Sequence, residues 1–572
     1  MKFLLAAVNA KYIHSNLGIY SLNKYAQEKL ETRRAQGEAF PGIQIEMGEY
    51  TINQQMDLVL QDIYRRSPDV AGFSCYIWNI SFVRELIFDL KKILPGTAFW
   101  VGGPEVSFDA ENFLKEMPQV TGVMVGEGEE TFLELARYYI EKKGTLADIR
   151  GIAFRENGEI FHNGWRKVMD LSRVPFAYEQ TEDFANRIIY YESSRGCPFS
   201  CSYCLSSIDK KLRFRNLELV KKELQFFLDK KVPQVKFVDR TFNCKHDHAM
   251  EIWKYILEHD NGVTNFHFEI SADLLREEEL ELMSRMRPGL IQLEIGVQST
   301  NPDTIRAIHR NMDLKKLEAS VARVKSFGNI HQHLDLIAGL PCEDYESFRR
   351  SFEQVYRMKP DQLQLGFLKV LKGSSMYHEA QKYEILYKEK EPYEVLSTAW
   401  LSYEDILKLK MVESMVEVYY NSGQFRKTLS WIETYYQEMF SFYESLGAYY
   451  EEKGYEEISH SRLRRYEILL EFLKERTQLP VNTASQHMVY DLYLREKLKK
   501  RPVFAMDQKP YEASVRNYRK ANKIPKTAHI EVFGDGSAVL FDYEARDPLT
   551  NNARAEQIFL ERNPVNDLET EA

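Results

Sequence analysis

Twelve residues, Ser193-Ser194-Arg195-Gly196-Cys197-Pro198-Phe199-Ser200-Cys201-Ser202-Tyr203-Cys204, constrain this chain more than any other stretch. They place three of its six cysteines in a C-x3-C-x2-C spacing. Thiolates are the soft ligands that iron–sulfur clusters require, and a four-iron cluster usually takes four of them. Three on one tight loop leave one iron without a protein ligand, free to bind something else. A zinc knuckle would need a fourth Cys or His close by, and the next histidine is His246. The spacing therefore favours a [4Fe-4S] cluster on Cys197, Cys201 and Cys204.

That motif, with Tyr203 just before its last cysteine, resembles the radical S-adenosylmethionine (radical SAM) superfamily. The resemblance implies that the open iron chelates S-adenosylmethionine and that the cluster delivers the electron that cleaves it. It also implies a low-potential reductant, such as flavodoxin or ferredoxin, as a partner.

The chain is 572 residues long, so several domains are expected. Its 44% apolar content marks it as globular, and a net charge of −9 gives no overall grip on nucleic acid. The start, MKFLLAAVNAKYIHS, reads as a buried strand, because its apolar run soon meets Asn9 and Lys11. No stretch approaches the length of a membrane span. Few cysteines, half of them clustered, point to a reducing compartment, with the cytoplasm as the default.

Residues 1–145 alternate five apolar strands with amphipathic helices, the pattern of a doubly wound parallel sheet. Ligands in such sheets sit beyond the carboxyl ends of the strands. Residues falling there include Ser74, the Gly102-Gly103 pair and the turn Gly126-Glu127-Gly128-Glu129. Placed before a radical SAM loop, this domain resembles the cobalamin-binding domain of cobalamin-dependent radical SAM enzymes, the class B methylase-like branch. The resemblance assigns cobalamin to Ser74, Gly102, Gly103 and Glu127. The D-x-H-x-x-G signature of an axial histidine is absent; around His14 the chain reads Asn9-Ala-Lys-Tyr-Ile-His14-Ser-Asn-Leu-Gly18. His14 is thus expected to contact cobalamin or cap a helix rather than ligate cobalt.

Residues 146–186 read as a hairpin over 152–161, with Asn157-Gly158 at its turn, and an extended linker. Residues 187–395 hold six further strand–helix units, the count of a partial (β/α)6 barrel with its site at the strands' carboxyl ends. By resemblance, Asp239, Glu269, Glu294 and Gln298 contact S-adenosylmethionine, with Tyr203 near the adenine. Cys244 and Cys342 follow the second and fifth strands and are expected to be packed thiols. A methylthiotransferase would need three more cluster cysteines in the first domain, which has only Cys75.

Residues 396–572 form a mostly helical extension. Its aromatic run from Trp431 to Tyr450 reads as core, and His529–Phe533 with Ala538–Tyr543 reads as a hairpin. The basic run Arg495–Arg501 leaves contact with a nucleic acid open, and the acidic end, Asp567–Ala572, is expected to fray. The whole is expected to be an α/β enzyme that cleaves S-adenosylmethionine and modifies an unactivated carbon of an unknown substrate, by methyl transfer or otherwise. The alternatives are a radical SAM enzyme without functional cobalamin and a corrinoid- or redox-responsive binding protein.

Overall fold

The computed structural model describes residues 1–38, 42–179, 184 and 187–560. The acidic end and part of the linker lie outside the described residues.

The first sheet contains seven strands: β1 (Lys2–Asn9), β2 (Gln44–Thr51), β3 (Val70–Ser74), β4 (Ala98–Gly102), β5 (Gly122–Met124), β6 (Ile152–Glu156) and β7 (Glu159–His162). Their spatial order is β2-β1-β3-β4-β5-β6-β7. β1 to β5 are parallel, and Phe3 to Val8 are all buried because helices cover both faces of the sheet. The order reverses beside β1, which places a switch point between the ends of β1 and β3. The hairpin that the sequence sets apart at residue 146 belongs to this sheet: β6 pairs antiparallel with β5. A local turn signal reveals a hairpin but not the edge on which it docks.

The second sheet is built from β8 (Ile189–Tyr191), β11 (Gln234–Phe237), β12 (Asn265–Ile270), β13 (Ile291–Gln298), β14 (His331–Ala338) and β15 (Gln362–Phe367). Before it closes, the chain makes a two-stranded ribbon of β9 (Ser194–Arg195) and β10 (Arg213–Phe214). The six parallel strands stand side by side in chain order, as expected where every crossover winds the same way and the sheet curls into a partial barrel. In β13, Ile291, Leu293, Ile295 and Val297 face the helices, while Gln292, Glu294, Gly296 and Gln298 face the concave side. The helices start where the sequence supplies caps: Asn216, Asp313 and Asp344 accept hydrogen bonds from first-turn amides.

A small hairpin, β16 (Leu386–Tyr387) with β17 (Val395–Ser397), leads to a helical layer. The aromatic run there is core: Phe440, Phe442, Tyr443, Leu446 and Tyr450 are buried. The chain ends in a three-stranded antiparallel sheet of β18 (His529–Val532), β19 (Ala538–Arg546) and β20 (Ala553–Ile558), one strand more than the expected hairpin. Among the described residues no helix is long and apolar enough to cross a membrane.

Candidate functional site: three linked chambers

The carboxyl ends of β3, β4 and β5, with the start of the first helix, surround a slot of about 680 Å³. Ser74, Gly102, Gly103 and Glu127 line it, with Gly72, Leu5 and Met124 beneath. Gly103 has φ +113°, and a Cβ there would lie 2.5 Å from the Cys75 carbonyl oxygen, so only glycine fits this turn. Residues Leu205, Ile208 and Lys211, from the cysteine loop of the other domain, close the far side. The slot is thus completed by both domains.

A second chamber, about 800 Å³, lies between the two sheets. His14 lies here rather than in the slot. Its Nδ1 is 2.7 Å from the Tyr190 hydroxyl, and burial, with Lys11 adding, holds its pKa below the ordinary value. It does not cap the first helix; Asn16 does, accepting from the Ile19 amide at 3.2 Å. Tyr76 and Trp78 stack on one another, 4.4 Å between centroids and 7° from parallel, and line the same chamber. In the sequence this turn stands out through Ser74, and the two rings carry no signal of their own.

The third chamber, about 180 Å³, holds Cys197, Cys201 and Cys204 together. All six cysteines are free. Among the described residues no three metal-binding side chains converge on one point, as a single ion would require. A cuboidal cluster makes no such demand, because each thiolate binds a different iron. Gly196 enters the loop at φ +95°, where a Cβ would lie 2.9 Å from the Lys211 carbonyl oxygen. Among the described residues three buried polar atoms in this chamber lack hydrogen bonds, Gln298 Oε1, Arg310 Nε and Asp335 Oδ1, the last lying 3.1 Å from His333 Nε2. Gln298 follows a bulge in the β13–β14 ladder and has φ +73°, a strained conformation of the kind found at functional sites. Free thiols and orphaned polar atoms around one cavity fit a cluster with a polar ligand beside it.

Arg310 was not legible in the sequence. It stands 109 residues from Cys201, yet its Nη1 is 3.9 Å from the Cys201 sulfur and 3.2 Å from the Tyr203 hydroxyl. Its Nη2 donates to the Gly296 carbonyl. Among the described residues no carboxylate lies within ion-pair distance of it. A guanidinium left without a counter-ion in a buried cavity matches an anionic occupant.

The four residues expected to contact S-adenosylmethionine separate into different roles. Gln298 and Glu294 line the cluster chamber, and Glu269 lines both this chamber and the interdomain one. Asp239 lines neither. It is fully buried and accepts from the Ser193 amide (3.0 Å), the Ser193 hydroxyl (2.7 Å) and the Ser194 hydroxyl (2.6 Å), so it anchors the start of the cysteine loop instead. Glu294 is ion-paired to Lys236 at 2.9 Å and lies 3.0 Å from His267; burial pushes its pKa up, but these partners more than offset that and hold it low. Among the described residues the one cation within ion-pair distance of Glu269 is Arg240, at 4.0 Å, and burial pushes its pKa up to about 7. Cys244 and Cys342 line none of the three chambers; burial pushes the Cys244 thiol up to about 11.

Neighbouring chambers share walls. Gly18, Tyr76 and Arg195 line both the slot and the interdomain chamber, and Arg240 and Glu269 line both the interdomain and cluster chambers. In comparisons with known families, the B12 binding domain family matches residues 4–136 and the Radical SAM superfamily matches residues 191–355. The chain thus carries a B12-binding domain followed by a radical SAM domain. A third family, described as a protein of unknown function (DUF4080), matches residues 381–535.

The chain is 24% identical over 371 residues to an uncharacterized methyltransferase, PH0819, of Pyrococcus horikoshii, covering 62% of the chain and 78% of the relative. It is 26% identical over 304 residues to the cobalamin-dependent radical SAM methyltransferase TokK of Streptomyces tokunonensis, covering 49% of the chain. The match spans only 44% of TokK. Among solved structures, the cobalamin-dependent S-adenosylmethionine radical enzyme OxsB, with aqua-cobalamin and S-adenosylmethionine bound, superposes with a TM-score of 0.58 at 15% identity. That match covers 86% of this chain and 78% of OxsB. The fold is therefore that of OxsB, and the related structure of TsrM from Kitasatospora setae, with cobalamin and a [4Fe-4S] cluster bound, superposes with a TM-score of 0.54 at 16% identity.

Proposed function

We propose that the protein is a cobalamin-dependent radical SAM enzyme that modifies an unactivated carbon, with methyl transfer as its chemistry. The observation that carries this reading is the row of chambers with shared walls, from a glycine-floored slot in the B12-binding domain to the three cysteines. The names of the methyltransferase relatives add weight to methyl transfer over other outcomes. When bound, the cluster supplies the electron that splits S-adenosylmethionine into methionine and a deoxyadenosyl radical, and cobalamin supplies the methyl group.

The chain's own residues bind, orient and exclude water. Cys197, Cys201 and Cys204 would hold three irons, and Arg310 offers positive charge beside Cys201. Gln298 presents an unpaired carbonyl oxygen to the same cavity. Glu269, on the boundary between chambers and close to neutral pH in its titration, can hold or release a proton towards a substrate. Tyr76 and Trp78 wall the interdomain chamber with apolar surface that limits water. Ser74, Gly102 and Gly103 would hold the cobalamin in the slot. A flavodoxin or ferredoxin is proposed as electron donor and the cytoplasm as the compartment, because all six cysteines are free.

The test is anaerobic reconstitution with iron, sulfide and hydroxocobalamin, then reduction in the presence of S-adenosylmethionine. Retained corrinoid, with 5′-deoxyadenosine formed by the wild type and not by a Cys197→Ala/Cys201→Ala/Cys204→Ala variant, is the expected result. Cleavage without retained corrinoid would overturn the cobalamin half of the proposal. An intact cluster with no cleavage would overturn the radical half.

A further inference from the structure

The cysteine loop, residues 196–212, is closed by the β9–β10 ribbon, whose register sets Arg195 directly opposite Arg213. Like charges facing one another across a ladder are destabilising. Among the described residues each arginine has one acidic neighbour in its own domain: Glu192 lies 2.8 Å from Arg195, and Asp209 lies 2.9 Å from Arg213. The remaining carboxylates come from the other domain. Glu127 contacts Arg213 and lies 3.5 Å from Arg195, and Glu129 lies 2.8 Å from Arg195. Among the described residues Glu127 is the one carboxylate that touches both arginines.

These groups are not a solvated surface cluster. The Glu129 side chain is 5% exposed and also accepts from the Ser21 hydroxyl at 3.0 Å. Glu127 receives the Met169 amide at 3.0 Å, which fixes it from a third side. Arg195 lies two residues before Cys197, and the Cys197 amide donates to the Asp209 carbonyl at 3.1 Å. Any shift of the ribbon therefore moves a cluster ligand.

We infer that the Gly126-Glu127-Gly128-Glu129 turn is an interdomain clamp that closes the cysteine loop, and that Glu127 is a positioning residue for the cluster. This rests on the proposed pairing of cluster and cobalamin. The turn lines the slot and, through the two arginines, holds the loop that forms the slot's far wall. A corrinoid filling the slot packs against both parts of the clamp at once, so corrinoid binding stabilises the closed loop, and the closed loop retains corrinoid.

The experiment follows the full-length, reconstituted protein in two readouts, iron released to a ferrous chelator and cobalamin retained after gel filtration. Glu127→Gln and Arg213→Gln are each expected to release iron about tenfold faster than wild type, the effect of losing one partly buried charge contact. Glu127→Gln/Arg213→Gln is expected to fall short of the combined effect of the single variants, because both break the Glu127–Arg213 contact. Added cobalamin is expected to slow iron loss in the wild type and not in Glu127→Gln. Glu134→Gln, which removes a carboxylate paired with Arg166 outside the ribbon, serves as the control and is expected to match wild type. If Glu127→Gln fails to fold, Arg213→Lys carries the same test, since it keeps the charge and loses the fork that reaches Glu127. Wild-type iron release in the variants, or additive losses in the double variant, would overturn the clamp. A wild type that takes up no corrinoid or no iron would instead overturn the functional reading on which the clamp rests.

Discussion

The three cysteines could be read from the sequence because a cluster loop is local: the ligands lie within eight positions and their spacing is the chemistry. Arg310 could not, because its neighbourhood is made by the barrel closing on itself. Asp239 shows the opposite limit. Its place at the end of β11 suggested a cofactor contact, but two serines ahead of the cysteines use its acceptors first. The cationic Arg310 beside Cys201 favours the more negative, reduced form of a cluster that loses no proton. Replacing it by Met is expected to make the cluster harder to reduce, lowering its midpoint potential by about 50–150 mV, the scale of one charge a few ångströms away at an intermediate dielectric. Anaerobic titration followed by electron paramagnetic resonance measures this. An unchanged potential would show that Arg310 serves only to tie Tyr203 to Gly296.

At the scale of elements, the barrel strands were legible because each alternates apolar and polar residues with period two, as β13 and β14 do. β20, Ala-Arg-Ala-Glu-Gln-Ile, was not, because charged residues on an edge strand hide that alternation. Tertiary capping was equally hidden. The helix Arg426–Ile432 begins with no cap from its own N-cap residue, and Asp491, from the helix Val481–Arg495, supplies one instead. Its carboxylate accepts from the Lys427 amide (3.0 Å), the Thr428 amide (2.8 Å) and the Thr428 hydroxyl (2.7 Å). Burial pushes its pKa up to about 7 despite these bonds. The folded chain therefore keeps a proton that the unfolded chain releases near pH 4, so this group costs stability progressively as pH rises towards 7. Asp491→Asn removes the ionisation and keeps an acceptor. Its stability relative to wild type is expected to rise between pH 4 and pH 7 by on the order of 3 kcal/mol and then level off. Paired urea melts at pH 5 and pH 8 check the sign, and a difference that falls with pH would refute it.

For the whole molecule, the sequence separated barrel and extension at residue 395, whereas the structure gives them a common core. The barrel helix Tyr345–Arg357 buries Phe348, Phe352 and Tyr356. Phe352 meets Phe440 at 5.3 Å, and Tyr356 meets Tyr420 at 5.0 Å and Tyr443 at 6.1 Å. Polar contacts follow the same seam: Arg349 pairs with Glu438 at 2.6 Å, and the Tyr345 hydroxyl donates to Glu444 at 2.5 Å. Domain boundaries drawn from sequence follow changes of pattern along the chain, and this seam joins residues about ninety positions apart, as the 87 residues between Tyr356 and Tyr443 illustrate. Ending the chain at residue 395 would uncover three large rings, on the order of 500 Å² of contiguous apolar surface, the upper end of what a soluble monomer exposes. The terminal sheet has a smaller attachment, centred on Val489 and Tyr493 of the helix Val481–Arg495. A chain of residues 1–395 is therefore expected to aggregate, and one of residues 1–495 to remain soluble and to load iron and corrinoid like the full chain. Soluble yield, with iron and cobalt counted per chain, decides the matter. A soluble, cofactor-loaded 1–395 fragment would mean that the helical layer is a substrate-facing module and not the outer wall of the barrel.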